Sequence, residues 1–271
     1  MHDTLSDDLF QKFSVLIYEK AGIYLKAEKK ELLTARLGKR LRFTGINTFK
    51  EYYDYIIKDQ NGQEFTNFIN GVSTNFTSFF RESSHFDFLI ATILPSFVAA
   101  GRREIKFWSA ACSSGEEPYT LAVVMEEYFQ NNPRIPYNIL ATDISTKVLN
   151  IAEQGVYPVD RAGKIPSLLL KKYFRKGVGN SSGYVKAKDE LKRLITFKQL
   201  NLMGNFPWQE KIDVIFCRNV MIYFDRQTQE KLINKFYDCI TPGGYLLIGH
   251  SESISSIKHK FVQREATSYQ K

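Results

Sequence analysis

The sequence has few cysteines and no long hydrophobic run, and each shortage excludes a class of protein. Its three cysteines, Cys112, Cys217 and Cys239, lie far apart, which argues against a disulfide framework and against a CxxC metal site. No apolar stretch approaches the roughly 18 residues that cross a bilayer, and the N-terminus is acidic. We therefore expect a cytoplasmic protein that is neither secreted nor inserted in a membrane.

Acidic residues are fewer than basic ones, and the excess of basic residues lies in two segments. Lys and Arg number 37 against 29 Asp and Glu, a net charge of +8. Residues 20–42 hold eight basic and two acidic side chains, residues 160–198 hold eleven and three, and the remainder is net acidic. These two segments indicate either two anion-binding surfaces or two solvated faces, and charge alone does not separate the readings.

Residues 6–70 carry only helical signals and predict a small helical bundle. Ser6 is a suitable N-cap for a first helix, and a second helix ends at Gly45. On the second helix Lys29, Arg36 and Arg40 share the side away from its apolar face. That face holds four leucines: Leu32, Leu33, Leu37 and Leu41.

From about residue 105, short apolar strands alternate with helices. The strands are predicted near 105–110, 138–141, 212–217 and 245–249, with a turn at residues 242–244 before the last. Such alternation predicts an α/β fold with a mostly parallel sheet between helices. Ligands in these folds bind beyond the carboxyl ends of the strands.

Residues 173–202 interrupt the alternation. A loop rich in Gly and Ser at 177–183 lies between apolar runs at 184–187 and 194–197. We predict that these runs form two short antiparallel strands of a small β insertion.

The turn after the first predicted strand is rich in small residues and in acids. It lacks the GxGxxG pattern, and Glu116 and Glu117 lie where a dinucleotide pyrophosphate would need positive potential. These carboxylates fit a cationic ligand group, although acids at a helix N-terminus also serve simply to stabilise the helix dipole.

Asp143 ends the second predicted strand. An acid at this point can accept hydrogen bonds from both ribose hydroxyls, while the alternative is an N-cap for the next helix, a role open to Ser145 as well. An adenosine ligand that is cationic and lacks phosphate satisfies both observations, and S-adenosylmethionine meets that description.

Two further segments are expected to place polar residues near the carboxyl ends of the strands. Residues 213–224 form a buried strand that runs into polar and aromatic residues. Upstream, Asn75, Thr77 and Arg81 can converge on one side of a turn, beside three phenylalanines expected to be buried: Phe76, Phe79 and Phe80. The alternative for this upstream segment is a linker with ordinary surface polar residues.

Five ordered motifs closely resemble the chemotaxis receptor methyltransferases, the CheR family. They occupy residues 75–82, 111–119, 141–145, 216–224 and 249–253, beginning with Asn-Phe-Thr-Ser-Phe-Phe-Arg-Glu. The resemblance implies an all-helical domain over residues 1–72 and a Rossmann-like S-adenosylmethionine-dependent methyltransferase domain over 73–271. A small antiparallel β subdomain would be inserted at about 173–200.

The resemblance also implies roles for particular residues. The reaction would be methyl transfer from S-adenosylmethionine to glutamate side chains of chemoreceptors, which leaves S-adenosylhomocysteine and requires no metal. Arg81 and Tyr223 would face the methyl group and the substrate. The cofactor site would be lined by Asn75, Thr77, Arg81, Glu117, Asp143, Asn201, Leu202, Arg218 and Asn219.

The implied partners are the cytoplasmic domains of chemoreceptors, in membrane receptor arrays. A receptor C-terminal pentapeptide is a further candidate, because the loop at 177–183 has the Gly-x-Gly-x-x-x-Gly pattern of family members that dock on such a peptide. The alternatives are a nucleic acid methyltransferase that uses the two basic segments, and a binding module without activity. The motifs favour protein carboxylates over nucleic acid.

Overall fold

The computed structural model describes residues 4–59, 62–208 and 210–271. Its α-helices are α1 (Asp7–Ala21), α2 (Lys30–Thr44), α3 (Phe49–Lys58), α4 (Gln63–Val72), α5 (Ser84–Phe88), α6 (Leu94–Ala99), α7 (Glu116–Tyr128), α8 (Thr146–Gln154), α9 (Ser167–Tyr173), α10 (Asp189–Lys192) and α11 (Arg226–Cys239). Its strands are β1 (Ile105–Ala110), β2 (Tyr137–Asp143), β3 (Val156–Pro158), β4 (Phe174–Lys176), β5 (Tyr184–Ala187), β6 (Ile195–Gln199), β7 (Ile212–Cys217), β8 (Ile240–Ile248), β9 (Val262–Glu265) and β10 (Ser268–Gln270). Within these ranges, no helix combines the length and the apolar character that crossing a membrane requires.

The first four helices form the predicted bundle. Ser6 caps α1 by accepting a hydrogen bond from the Leu9 amide, and α2 ends at Gly45 in the left-handed conformation that favours glycine. The core of the bundle is aromatic, because Phe13, Tyr52 and Phe68 are fully buried. The prediction of an all-helical N-terminal domain is confirmed.

Two details of α2 differ from the sequence prediction. Leu32 is 44% exposed and does not join the other leucines in the core. Arg40 is not a free surface cation, since its guanidinium pairs with the buried Glu64 carboxylate, which also accepts a hydrogen bond of 2.7 Å from Tyr52. Part of the positive charge of residues 20–42 is therefore neutralised by an acid inside the bundle.

The large sheet has seven strands in the order β6-β2-β1-β7-β8-β10-β9, and only its last two pairings are antiparallel. Consecutive residues of β1 enter opposite layers, Phe107 into the core under α7 and Trp108 into the core under α11. Helices thus cover both faces, which confirms the predicted α/β fold.

Two strand predictions in this domain were wrong. Residues 242–244 are not a turn but part of β8, where a left-handed Gly243 and a register shift bend the strand. Ile195–Gln199 does not pair antiparallel within the insertion; it is the edge strand β6, parallel to β2, with Ile139 opposite Ile195. The small antiparallel sheet has the order β3-β5-β4 and begins at Val156.

The topology fixes where a ligand can bind. Because β1, β2 and β7 are parallel neighbours, Ala110, Asp143 and Cys217 end at one edge of the sheet. The segment between α4 and α5, which links the helical bundle to the sheet domain, also comes to this edge: Ser113 donates a hydrogen bond to the carbonyl of Asn75.

Candidate functional site

A cavity of about 520 Å³ lies between this edge of the sheet and the helical bundle. Small-molecule sites commonly span about 300–1,000 Å³. All ten residues that the sequence analysis assigned to the site line this cavity: Asn75, Thr77, Arg81, Glu117, Asp143, Asn201, Leu202, Arg218, Asn219 and Tyr223.

Ala111, Cys112 and Ser113 of the β1–α7 loop line the cavity. Ala111, Ser113 and Gly115 all have positive φ angles, which turn the chain sharply after β1. Gly115 has no room for a side chain, because a Cβ would lie 2.8 Å from the Cβ of Ala152. The loop is pinned by the Cys112 amide, which donates to the Thr142 carbonyl over 2.8 Å.

Asp143 ties this loop to the next one. Its carboxylate accepts 2.9 Å hydrogen bonds from the amides of Ser113 and Ser145. The N-cap of α8 is Ser145, so Asp143 does not have the alternative N-cap role considered above. Burial raises the pKa of Asp143, and the backbone donors only partly oppose this. Each carboxylate oxygen keeps a second lone pair, which leaves the group able to accept hydroxyl donors from a ligand.

The two acids at the start of α7 point in different directions. Glu117 lines the cavity, where it accepts a 2.7 Å hydrogen bond from Ser109 and pairs with Arg218 at 3.2 Å. Glu116 is fully buried away from the cavity, with Arg161 and the Ser114 hydroxyl as its partners. Burial raises the pKa of both carboxyls. Of these two acids, Glu117 alone lines the cavity and can contact a ligand there.

Arg218 is a buried cation held between two acids. Its side chain is 2% exposed; it pairs with Glu117 on one side and with Glu82 at 3.0 Å on the other, and it also donates to the Arg81 carbonyl. The pKa of Glu82 is lowered, because Arg218 and a hydrogen bond from Asn219 outweigh the effect of burial. Four hydrogen bonds to Glu82, Glu117 and the Arg81 carbonyl therefore engage most of the guanidinium donors of Arg218.

Arg81 is the more available of the two arginines. Its side chain is 30% exposed, its Nη1 donates to the Phe76 carbonyl at 3.1 Å, and its Nε lies 3.9 Å from the Glu82 carboxylate. Tyr223 faces the same cavity and is half-buried, and its carbonyl accepts a 2.8 Å hydrogen bond from the Tyr24 amide. The expectation that Phe76 is buried was wrong: the side chain is 77% exposed, and residues 73–78, which include it, line the cavity.

Two groups of residues at the site were not predicted from the sequence. Glu82 stands at the end of the first resemblance motif, and only the fold shows that it faces Arg218. The bundle contributes a wall of the cavity as well, and the basic composition of 20–42 was its sole signal. These wall residues are Ala21, Ile23, Tyr24, Leu25, Lys26, Glu28, Lys29, Leu32 and Arg36.

Two histidines flank Glu82. The ligand atoms of Glu82, His85 and His250 lie within 4.8 Å of one another, a spacing that would suit a metal ion, but the Arg218 guanidinium beside Glu82 opposes a second cation there. His85 is buried, and its Nε2 shares a 2.8 Å hydrogen bond with the Thr267 hydroxyl. Burial and the charge of Arg218 lower the pKa of His85 to about 3.

Comparison with known proteins supports a single family. Residues 75–270 match the family model described as "CheR methyltransferase, SAM binding domain", and residues 8–73 match "CheR methyltransferase, all-alpha domain". The chain is 43% identical to the chemotaxis protein methyltransferase of Borreliella burgdorferi, over 94% of this chain and 91% of that one. It is 37% identical to the protein of the same name from Escherichia coli, over 98% and 91%.

The lowered pKa of His85 predicts a specific loss of stability in acid. Below about pH 6.5 the unfolded chain protonates this histidine while the folded chain does not, so the stabilisation present near neutral pH falls until the folded pKa is reached. Between pH 6 and pH 4 the free energy of unfolding should fall by about 1 kcal/mol per pH unit more than in His85→Gln. Urea unfolding at several pH values measures this, and parallel curves for the two proteins would contradict it.

Proposed function

The chain belongs to the CheR methyltransferase family, and from that premise we propose that it transfers a methyl group from S-adenosylmethionine to glutamate side chains of chemoreceptors. The observation that carries this proposal is the cavity itself. It combines the buried acid Asp143 and the partly buried acid Glu117 with an arginine, Arg81, that retains free donors. We propose that the protein does this in the cytoplasm, at membrane receptor arrays.

The residues present fit S-adenosylmethionine. Anionic groups line the cavity where a phosphate-bearing cofactor would need cations, which suits a ligand with a sulfonium and an ammonium group. In this proposal Asp143 accepts from the ribose hydroxyls, Glu117 from the amino group, and Asn201 with Leu202 borders the adenine. When bound, the cofactor supplies an electrophilic methyl group.

The protein's part in the reaction is mainly alignment. A glutamate side chain is ionised near neutral pH, so its oxygen can attack without a general base. The C–O bond forms as the methyl–sulfur bond breaks, the electron pair stays on sulfur, and no proton moves. In this proposal Arg81 holds the incoming carboxylate, because most donors of Arg218 already bond to the protein, and Tyr223 helps to orient that carboxylate.

The small sheet supports a second contact with receptors. β4 is at the edge of this sheet, and the side chains of Arg175, Lys176 and Val178 beside it are exposed. Gly177 is needed in the adjoining loop, because a Cβ there would collide with the Ser181 carbonyl. We propose that an acidic receptor C-terminal pentapeptide adds to β4 as a further strand, which raises the local concentration of the enzyme.

Glu117→Gln should weaken binding of S-adenosylmethionine by about tenfold or more, because a charge-assisted bond to the ammonium group is lost. Isothermal titration calorimetry measures the affinity. Glu116→Gln is the matched control, since it changes the same group one residue away but outside the cavity. Equal affinities of the two variants would contradict the assignment of Glu117.

Arg81→Ala should keep its affinity for the cofactor within a few-fold and lose about 100-fold or more of methyl transfer, because the carboxylate is no longer aligned. The measurement is transfer of labelled methyl groups to receptor cytoplasmic domains, with calorimetry for cofactor binding. A parallel loss of binding would make Arg81 a cofactor ligand instead. Unchanged turnover, or transfer by the wild type to RNA or DNA alone, would contradict the proposal.

Lys176→Pro should abolish binding of an acidic, aromatic-ended pentapeptide. Gly177 donates to the Tyr184 carbonyl, and Lys188 donates to the Tyr173 carbonyl. Because the direction of backbone groups alternates along a strand, Phe174 and Lys176 direct their amides away from β5, to the outer edge of the sheet. Proline removes that donor without breaking the pairing with β5. Lys176→Ala keeps the amide and is the control for charge. Absence of binding to the wild type at millimolar peptide would overturn peptide docking.

A further inference from the structure

Phe76 is a large apolar side chain that the protein holds in an exposed position at the cavity mouth. The ring is 77% exposed, yet hydrogen bonds hold the residues just before it and its own carbonyl. Arg36 donates to the Thr74 hydroxyl at 2.9 Å, Ser113 donates to the Asn75 carbonyl at 2.9 Å, and Arg81 donates to the Phe76 carbonyl itself. An exposed aromatic ring on an anchored segment is poised for contact with another surface.

The ring is also next to the group assigned to the substrate carboxylate. The Arg81 guanidinium carbon lies 5.7 Å from the centre of the Phe76 ring, within cation–π range. Three more exposed apolar side chains line the same cavity from other elements: Tyr24, Leu32 and Ile222. The mouth thus combines an apolar rim with the cationic side chains of Lys26 and Lys29.

We propose that Phe76 is a positioning residue that docks on the apolar side of the receptor helix beside the methylated glutamate and fixes the Arg81 guanidinium toward that carboxylate. The inference rests on the proposed function. An acidic amphipathic helix complements this mouth, since its apolar stripe meets the rim while its carboxylates meet Lys26 and Lys29. Covering the ring excludes water from the Arg81–carboxylate pair, which strengthens it.

The test is steady-state methylation of receptor cytoplasmic domains by Phe76→Ala and Phe76→Tyr. Phe76→Ala should raise KM for the receptor by about tenfold and also lower kcat, because docking and Arg81 alignment are both lost. Affinity for S-adenosylmethionine and the melting temperature should stay at wild-type values. Phe76→Tyr keeps the ring and should restore most of the activity.

Phe43→Ala is the matched control. Phe43 is also 77% exposed and also lies against an arginine, with the Arg40 guanidinium 4.6 Å from its ring, but it is outside the cavity. This variant should methylate receptors as the wild type does. Two outcomes with an active wild type would contradict the role of Phe76 and leave the proposed function standing. In one, Phe76→Ala methylates receptors with unchanged KM and kcat; in the other, Phe43→Ala loses as much activity as Phe76→Ala. If wild type transfers no methyl group to receptors, the proposed function fails together with the role of Phe76.

Discussion

The site depends on one buried cation, the Arg218 guanidinium. It follows β7, and its partners come from distant parts of the chain, Glu117 at the start of α7 and Glu82 before α5. The geometry of the cavity follows from this pairing, because both acids belong to segments that line or border it.

The same pairing separates the roles of the two arginines. Most donors of Arg218 bond to Glu82, Glu117 and the Arg81 carbonyl, whereas the Arg81 side chain is 30% exposed and donates through Nη1 to the Phe76 carbonyl. The surrounding backbone is strained to achieve this, since Glu82, Ser113 and Asn219 have positive φ angles. Each strained residue is held by hydrogen bonds from another segment, which is how a protein maintains a costly conformation at a functional site.

Sequence reasoning succeeded where structure is set by local patterns. The strand at 212–217 was predicted at its observed bounds, and the strand-end position of Asp143 followed from the parallel topology. It failed where long-range pairing decides. The apolar run at 194–197 could form a strand in either sheet, and it joins the large sheet because it pairs with β2, which has no other neighbour on that side. Phe76 reads as a core residue by composition, and only its place at the cavity mouth explains its exposure.

The helical bundle is part of the site rather than an appendage beside it. The Tyr24 amide bonds to the Tyr223 carbonyl, Asn201 donates to the Lys20 carbonyl, and Asn70 donates to Thr146 at the start of α8. The first two contacts tie cavity residues of the sheet domain to the backbone of the bundle, and the third joins side chains of α4 and α8. The proposed substrate surface and the proposed cofactor walls therefore share these contacts, so a change in the position of the bundle should alter both.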